Sequence, residues 1–422
     1  MFKMNAKEIF EKASKSKLLN DPYVEKVWKL IGDRSLFQKS PDYLRSLRKS
    51  LFRDALKFFS ANSEYYANLF DRLNINPKNA ELEDLAKLAI PSDILRGEGH
   101  KQFLINNVDK DGEYFMSSGT TNNVPVKIYR SPLDLAIMIK ANTDLFEYVY
   151  GDYLEPGKGL ALFMAAPELR YRLNFVAFVH LALEAKNIPL LYGMNLVESS
   201  SSGPAWQKLV PNKDNIAKFL RSREEPKLFF TAPAGIFLLS KQFEELNFIK
   251  KLMYRIASAL PVQLGKGGIV VTGGGTKGFT NLPSYDKIVE FSRKYFKAKD
   301  KSGKDVPTPF MDVLGMTETL TAMLDRFGVM DKVPHPLSEV FLLDPKTFEL
   351  KNEDNVEGIV GIYNPFTTSW LEVFYPGDLM ISHPSDRFYG KEFVYVRRLK
   401  VEEGWELQRA CGGTLEELMG RS

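Results

Sequence analysis

The sequence predicts an α/β protein: a large domain of layered helices and sheets, followed by a short C-terminal subdomain. Three observations carry this. Residues 6 to 90 have helical character, the chain from about residue 100 alternates short apolar runs with amphipathic segments, and strand signals dominate from about residue 333. The expected boundaries are a large domain over residues 1–385, with 1–90 as its helical entry segment, and a shortened C-terminal segment over 386–422 that carries the lone cysteine.

In the entry segment, Leu51, Ala55, Leu56, Phe58 and Phe59 fall near helical spacing with charged residues between them. Ser40-Pro41-Asp42 reads as a helix start with proline in the first turn. Farther on, Leu160 to Ala165, Leu228 to Thr231 and Ile269 to Thr272 read as buried strands, and Leu133 to Tyr150 and Ser284 to Tyr295 as helices. Near the end, Glu339 to Leu343, Gly358 to Tyr363, Leu371 to Phe374 and Phe393 to Val396 read as strands. Ser199-Ser200-Ser201-Ser202-Gly203-Pro204 is a loop. The chain contains no internal repeat and no low-complexity tract.

Composition narrows the class. An apolar share of 44% and a charged share of 26% are ordinary for a globular chain. The net charge of +4, from 57 basic and 53 acidic residues, mildly favours an anionic ligand and is far from a nucleic-acid signature. One cysteine excludes an intramolecular disulfide, and four dispersed histidines argue against a His/Cys metal site. The start, Met1-Phe2-Lys3-Met4-Asn5-Ala6-Lys7-Glu8, lacks the apolar segment of a signal peptide, and no apolar run approaches the roughly 18 residues of a membrane span. The expectation is a soluble, cytoplasmic protein.

Five places can carry chemistry. Ser117-Ser118-Gly119-Thr120-Thr121-Asn122-Asn123-Val124-Pro125-Val126-Lys127 lies between two strand-like runs and offers hydroxyls and backbone N–H groups to an anion. It is not a Walker A loop, since the Gly-Lys-Ser/Thr ending is missing, and a polar hairpin loop is the plain alternative. Gly273-Gly274-Gly275 follows the strand Gly268 to Thr272 and lets a flat ligand approach the backbone, where the alternative is a tight turn. Asp312 to Thr319 places an acid beside a hydroxyl after an apolar strand, suited to Mg²⁺ and phosphate or, more plainly, to a helix cap. The carboxylate of Tyr375-Pro376-Gly377-Asp378 can accept from two ribose hydroxyls. Cys411, in Arg409-Ala410-Cys411-Gly412-Gly413-Thr414, has room for an attacking group and a cation nearby, or is an inert buried thiol.

Together and in this order these elements resemble the adenylate-forming superfamily of acyl-CoA synthetases and peptide-synthetase adenylation domains. Within it they are most similar to LuxE-type acyl-protein synthetases, near phenylacetate-CoA ligases. Ser117 to Thr121 match the superfamily's phosphate loop, Leu314 to Glu318 its Tyr-Gly-x-Thr-Glu element, Gly377-Asp378 its ribose element and Arg398 its later arginine. Ile90 to Arg96, Thr272 to Gly275 with Lys277, Leu343 to Thr347 and the stretch around Cys411 resemble the LuxE type. The resemblance covers about residues 85 to 420. Leu314 stands where an adenine-stacking aromatic is usual, Ala410 where a glycine precedes the cysteine, and only 24 residues follow Arg398.

The resemblance implies a ligase that uses ATP and Mg²⁺ to turn a carboxylic acid, of the fatty-acid class, into an acyl-AMP and then a thioester. It implies that Ser117, Ser118, Gly119, Thr120 and Thr121 hold the β- and γ-phosphates, Thr317 the α-phosphate and Glu318 the Mg²⁺. It further implies that Gly273, Gly274 and Gly275 shelve the adenine, that Gly315 belongs to the ATP site, that Asp378 and Arg398 hold the ribose, and that Cys411 takes the acyl group. The acceptor is then a partner protein, and no nucleic acid or membrane span is involved. Two alternatives stand beside this reading: a coenzyme A ligase for an aryl or fatty acid, and a catalytically degenerate nucleotide-binding scaffold. Leu173 to Leu183 and Phe229 to Leu239 line an acyl pocket or are plain core, and His180 reads as structural.

Overall fold

The structure is a computed structural model that describes residues 4–117, 126–151, 153–171, 173–197, 209–251, 260–274, 282–325, 331–385 and 390–399. It is a mixed α/β chain with several sheets, as the alternation predicts. The chain divides into two compact units: one from Met1–Ala6, Phe146–Gly315 and Met323–Met330, the other from Lys7–Leu145, Met316–Ala322 and Asp331–Ser422.

The first unit is built on a mostly parallel sheet. Its apolar runs fold as Leu160–Phe163, Leu190–Tyr192, Lys227–Thr231, Ile269–Gly273 and Phe310–Leu314. All five are parallel neighbours, and Met323–Leu324 closes one edge antiparallel to Phe310–Leu314. Continuous apolar runs suit such strands because crossover helices cover both faces. The helices Asn174–Ala185, Lys213–Arg221, Pro233–Glu245 and Tyr285–Ser292 make the crossovers. Across the sheet the chain order is second, first, third, fourth, fifth, so the winding reverses between Leu160–Phe163 and Lys227–Thr231. Leu162, Phe229, Ile236, Val270, Ile288, Phe296 and Phe310 form one buried cluster. Each such side chain contributes about 1.5–3 kcal/mol on leaving water.

The second unit carries the predicted helical entry. Ser40 caps the helix Pro41–Asn62 by accepting from Tyr43 N, as its Ser-Pro-Asp start predicts. That helix buries Leu51, Ala55, Leu56, Phe58 and Phe59, and Phe52 meets Tyr363 edge-on. Tyr363 ends Glu357–Tyr363, a central strand of an antiparallel sheet that also holds Glu339–Leu343, Val373–Tyr375, Asp378–Ser385, Gly390–Arg398 and Asp331–Lys332. Ile90–Pro91 adds to it in parallel, beside Val373–Tyr375. The strand expected at Leu371 to Phe374 starts two residues later, because Leu371 N donates to Tyr66 Oη and the Glu372 side chain turns into a buried polar cluster. The helix Pro132–Tyr150 opens on a capping box in which Asp134 N donates to Ser131 Oγ and Ser131 N to Asp134 Oδ2. No helix among the described residues is long and apolar enough to cross a membrane.

Candidate active site

In the second unit, Glu113–Met116 and Lys127–Arg130 pair antiparallel on either side of the hydroxyl-rich run, of which residues 118–125 lie outside the described residues. Ser117 closes its neck: Ser117 N donates to Val126 O and Val126 N donates to Ser117 Oγ, both at 3.0 Å. Ser118, Gly119, Thr120 and Thr121 lie outside the described residues, as do Gly275 and Cys411.

The last residue of this strand pair, Arg130, is fully buried. Its Nη2 donates to the carbonyl oxygens of Thr317 (3.0 Å) and Glu318 (2.7 Å), and its Nη1 donates to Glu372 Oε2 at 3.4 Å. Glu372 also accepts from Leu320 N and from the Asn364 side-chain amide. Asn142 donates to Leu320 O at 2.7 Å and accepts from Ala322 N at 2.8 Å. The segment Met316–Ala322 is thus gripped through its backbone at four residues by side chains far away in sequence. Burial dominates at Glu372, pushing its carboxyl from 4.5 up to about 7 against the pull of Arg130.

Glu318, whose carbonyl oxygen Arg130 holds, is itself buried. Burial raises its pKa, opposed by a hydrogen bond with Ser92 and by the charge of Arg398, and reinforced by Asp378. Glu318 makes no ion pair among the described residues, an unusual state for a buried acid. Ser92 belongs to the Ile90 to Arg96 stretch singled out in the sequence. Asp378 and Arg398 face each other in register on neighbouring strands and pair through two bonds, Nε to Oδ1 at 2.9 Å and Nη2 to Oδ2 at 3.0 Å. Burial works against the Arg398 charge, but the Asp378 carboxylate outweighs it and raises the pKa. The Arg398 side chain is 60% exposed, so this pair orients groups more than it stabilises the fold. The second unit therefore brings Ser92, Glu318, Asp378 and Arg398 into electrostatic reach of one another, with Thr317 on the same braced segment.

In the first unit, Gly273 is the buried last residue of its strand, and Gly274 follows with φ at +84°. A Cβ on Gly273 would come within 2.8 Å of the Phe175 ring, so only glycine fits. Gly315 is exposed and Leu314 half-buried. Asp312 is engaged inside the fold: Thr272 Oγ1 donates to its Oδ1 at 2.7 Å, and Tyr285 Oη lies 2.7 Å from Thr272 Oγ1. Between Leu160–Phe163 and the edge strand Leu190–Tyr192, Arg170 Nη1 lies 3.0 Å from His180 Nε2, and Tyr192 Oη lies 3.0 Å from His180 Nδ1. Arginine can only donate, so Nε2 accepts and the ring is neutral. Burial and then Arg170 lower its pKa. Both nitrogens of His180 are thus held, in keeping with its structural reading.

Sequence reasoning missed Arg130, Asn142, Glu372 and Asn364. One signal was available: Ser131-Pro132-Leu133-Asp134 has capping-box spacing, which fixes a helix start directly after Arg130.

No family model matches the sequence, and no curated protein is significantly similar to it. Solved structures of 2-hydroxyisobutyryl-CoA ligase are similar in fold. An open conformation in complex with 2-HIB-AMP and CoA aligns with a TM-score of 0.54 at 12% identity, over 84% of this chain and 74% of that one. The complex in the thioesterification state aligns at 0.55 and 13%, over 86% and 68%. The postadenylation state with R3-HIB-AMP aligns at 0.56 and 11%, over 86% and 70%. At these identities the likeness is one of architecture: this chain shares the mixed α/β fold of those ligase structures.

Proposed function

We propose that the protein activates a carboxylic acid by adenylation, with ATP and Mg²⁺, and passes the acyl group to a thiol in the manner of an acyl-protein synthetase. The observation that carries this reading is Glu318: a buried carboxyl without an ion pair among the described residues, on a segment braced by Arg130. Magnesium is commonly held by one or two carboxylates together with substrate phosphates. Glu318 fits that description: it is buried, and no cation among the described residues forms an ion pair with it. Mg²⁺ held there would neutralise charge on the phosphates. The shared fold with a ligase solved as acyl-AMP complexes supports the reaction class.

In this reading the substrate carboxylate oxygen attacks the α-phosphorus, the bond to the bridging oxygen breaks and pyrophosphate leaves. The chain contributes positioning and electrostatics. Ser117 to Thr121 bind the β- and γ-phosphates and Thr317 the α-phosphate. Asp378, fixed by Arg398, accepts from the ribose hydroxyls, Gly273 to Gly275 shelve the adenine, and Gly315 belongs to the same ATP site. The Cys411 thiolate then attacks the acyl carbonyl, AMP leaves and a thioester forms. The fatty-acid class and the Cys411 step come from the LuxE-type resemblance. A coenzyme A ligase is the second reading, favoured by a fold shared with a ligase solved in complex with CoA.

The test is acid-dependent exchange of labelled pyrophosphate into ATP over a panel of fatty and aryl acids. Exchange with one class names the substrate. Thioester formation that disappears in Cys411→Ser supports acyl-protein synthesis, and thioester appearing on added coenzyme A in that variant supports the second reading. Nucleotide binding without exchange on any acid overturns both in favour of the scaffold.

A further inference from the structure

We infer that Asp331, His383 and Glu392 form a metal site of the zinc class that clips three strands of the second unit together. Strand register puts them on one face. His383 lies directly opposite Glu392 across the hairpin, Asp331 lies opposite Val394, and Val394 is two residues beyond Glu392. Opposed residues share a face, as do residues two apart on one strand. The ligand atoms converge as the register requires: one from each residue, all within 4.8 Å of one another. His383 Nε2 is 3.5 Å from Asp331 Oδ1. Two ligands at about 2.1 Å around a tetrahedral zinc are separated by about 3.4 Å.

The tautomer of His383 agrees. Its Nδ1 lies 3.2 Å from Pro384 O, a carbonyl that can only accept, so Nδ1 carries a proton. This is the arrangement by which a backbone carbonyl orients a ligating histidine and leaves Nε2 for the metal. Nε2 then faces a carboxylate at close range, which calls for a proton or a cation between them. One imidazole, two carboxylates and a water complete a four-coordinate, charge-neutral set for a divalent ion. The dispersal of the four histidines hid the site from the sequence, because carboxylates supply the other ligands. The clip sits five residues along the strand from Asp378, at the other end of the hairpin that carries the Asp378–Arg398 pair. This inference does not depend on the proposed activity.

The experiment uses the full chain, stripped with chelator and titrated with Zn²⁺ in the absence of nucleotide. One equivalent is expected to bind and to raise the melting temperature by mass action. Cobalt substitution should give the visible absorption of a tetrahedral site. His383→Gln and Asp331→Asn, at positions 26% and 23% exposed, should melt like the metal-free parent and lose more than about tenfold in affinity. Cys411→Ser should leave the zinc stoichiometry and affinity unchanged. The inference is overturned if binding is not stoichiometric, if neither substitution weakens it, or if it vanishes in Cys411→Ser. In the first case, the contact between His383 and Asp331 stands without a metal.

Discussion

Glu372 should make the protein less stable as pH rises through neutrality, and Glu372→Gln should remove that dependence. The carboxyl is fully enclosed, and burial disfavours its charge by more than Arg130 and its hydrogen bonds favour it, so it moves from 4.5 to about 7. The sign follows from linkage. Between these two values the folded chain holds a proton that the unfolded chain has lost, so stability falls with rising pH and levels off above about 7. At about 1.36 kcal/mol for each tenfold change in proton affinity, the loss between pH 5 and pH 8 is on the order of 2–3 kcal/mol. Glutamine has the shape of the protonated acid and cannot ionise. The variant should therefore gain 2–3 kcal/mol on the parent between those pH values, on the same order as the loss it removes. Urea unfolding at pH 5, 6, 7 and 8 measures this, with the buried Trp370 of the same unit reporting by fluorescence. Comparing the variant with the parent cancels every other titrating group. A difference that stays constant with pH, or one in which the variant loses ground as pH rises, would refute the reasoning. Glu372 would then be ionised throughout, and the Arg130 pair would dominate over burial.

Glu318→Gln should lower acid-dependent pyrophosphate exchange by roughly 10²-fold or more, as loss of a charge-stabilising group does, while thermal melting stays close to the parent. Gly273→Ala should destabilise the first unit by about 1–3 kcal/mol in urea, because the new methyl group meets the Phe175 ring. His335 is pushed down to about 3 by burial, with Leu337 N donating to its Nδ1. Its contribution is therefore full above about pH 6.5 and is lost as pH falls toward 3. His335→Gln should flatten the acid limb of the melting temperature between pH 6 and pH 4, as read by calorimetry.

What could be read from the sequence was local. Ser40 caps its helix, Glu339–Leu343 folds over the residues its pattern marks, and Gly273 ends a buried strand, each set by neighbours within a few positions. What could not be read depends on contacts closed over long stretches of chain. Arg130 reaches carbonyls 187 and 188 positions away and a carboxylate 242 away. On sequence alone it is one charged residue at the end of a short strand, which is ordinarily solvated. The same limit hid the path of the chain around the candidate site. Met316–Ala322 belongs to the second unit although the residues on both sides of it belong to the first. Periodicity carries no information about such an excursion, whereas the motif read from the segment, with Thr317 and Glu318, depends only on adjacent residue types.

The bracing of that segment has its own logic. Thr317, Glu318, Thr319 and Thr321 are all buried, along with Arg130, Asn142, Asn364 and Glu372. Burying hydroxyls, amides and charges is costly unless each finds partners, and well-packed apolar residues often do as well or better for stability. Here most partners are supplied: Asn364 Nδ2 donates to Thr319 Oγ1, Thr321 Oγ1 donates to Asn364 Oδ1, and Arg130 takes two backbone carbonyls, leaving its Nε without a hydrogen bond among the described residues. Hydrogen bonds have direction where apolar packing has little, so this network selects one conformation of the segment. A carboxylate meant to meet a cation and a phosphate must be held within a few tenths of an ångström before they arrive. Under the proposed reading, this network is what holds Glu318 in place before the cation arrives.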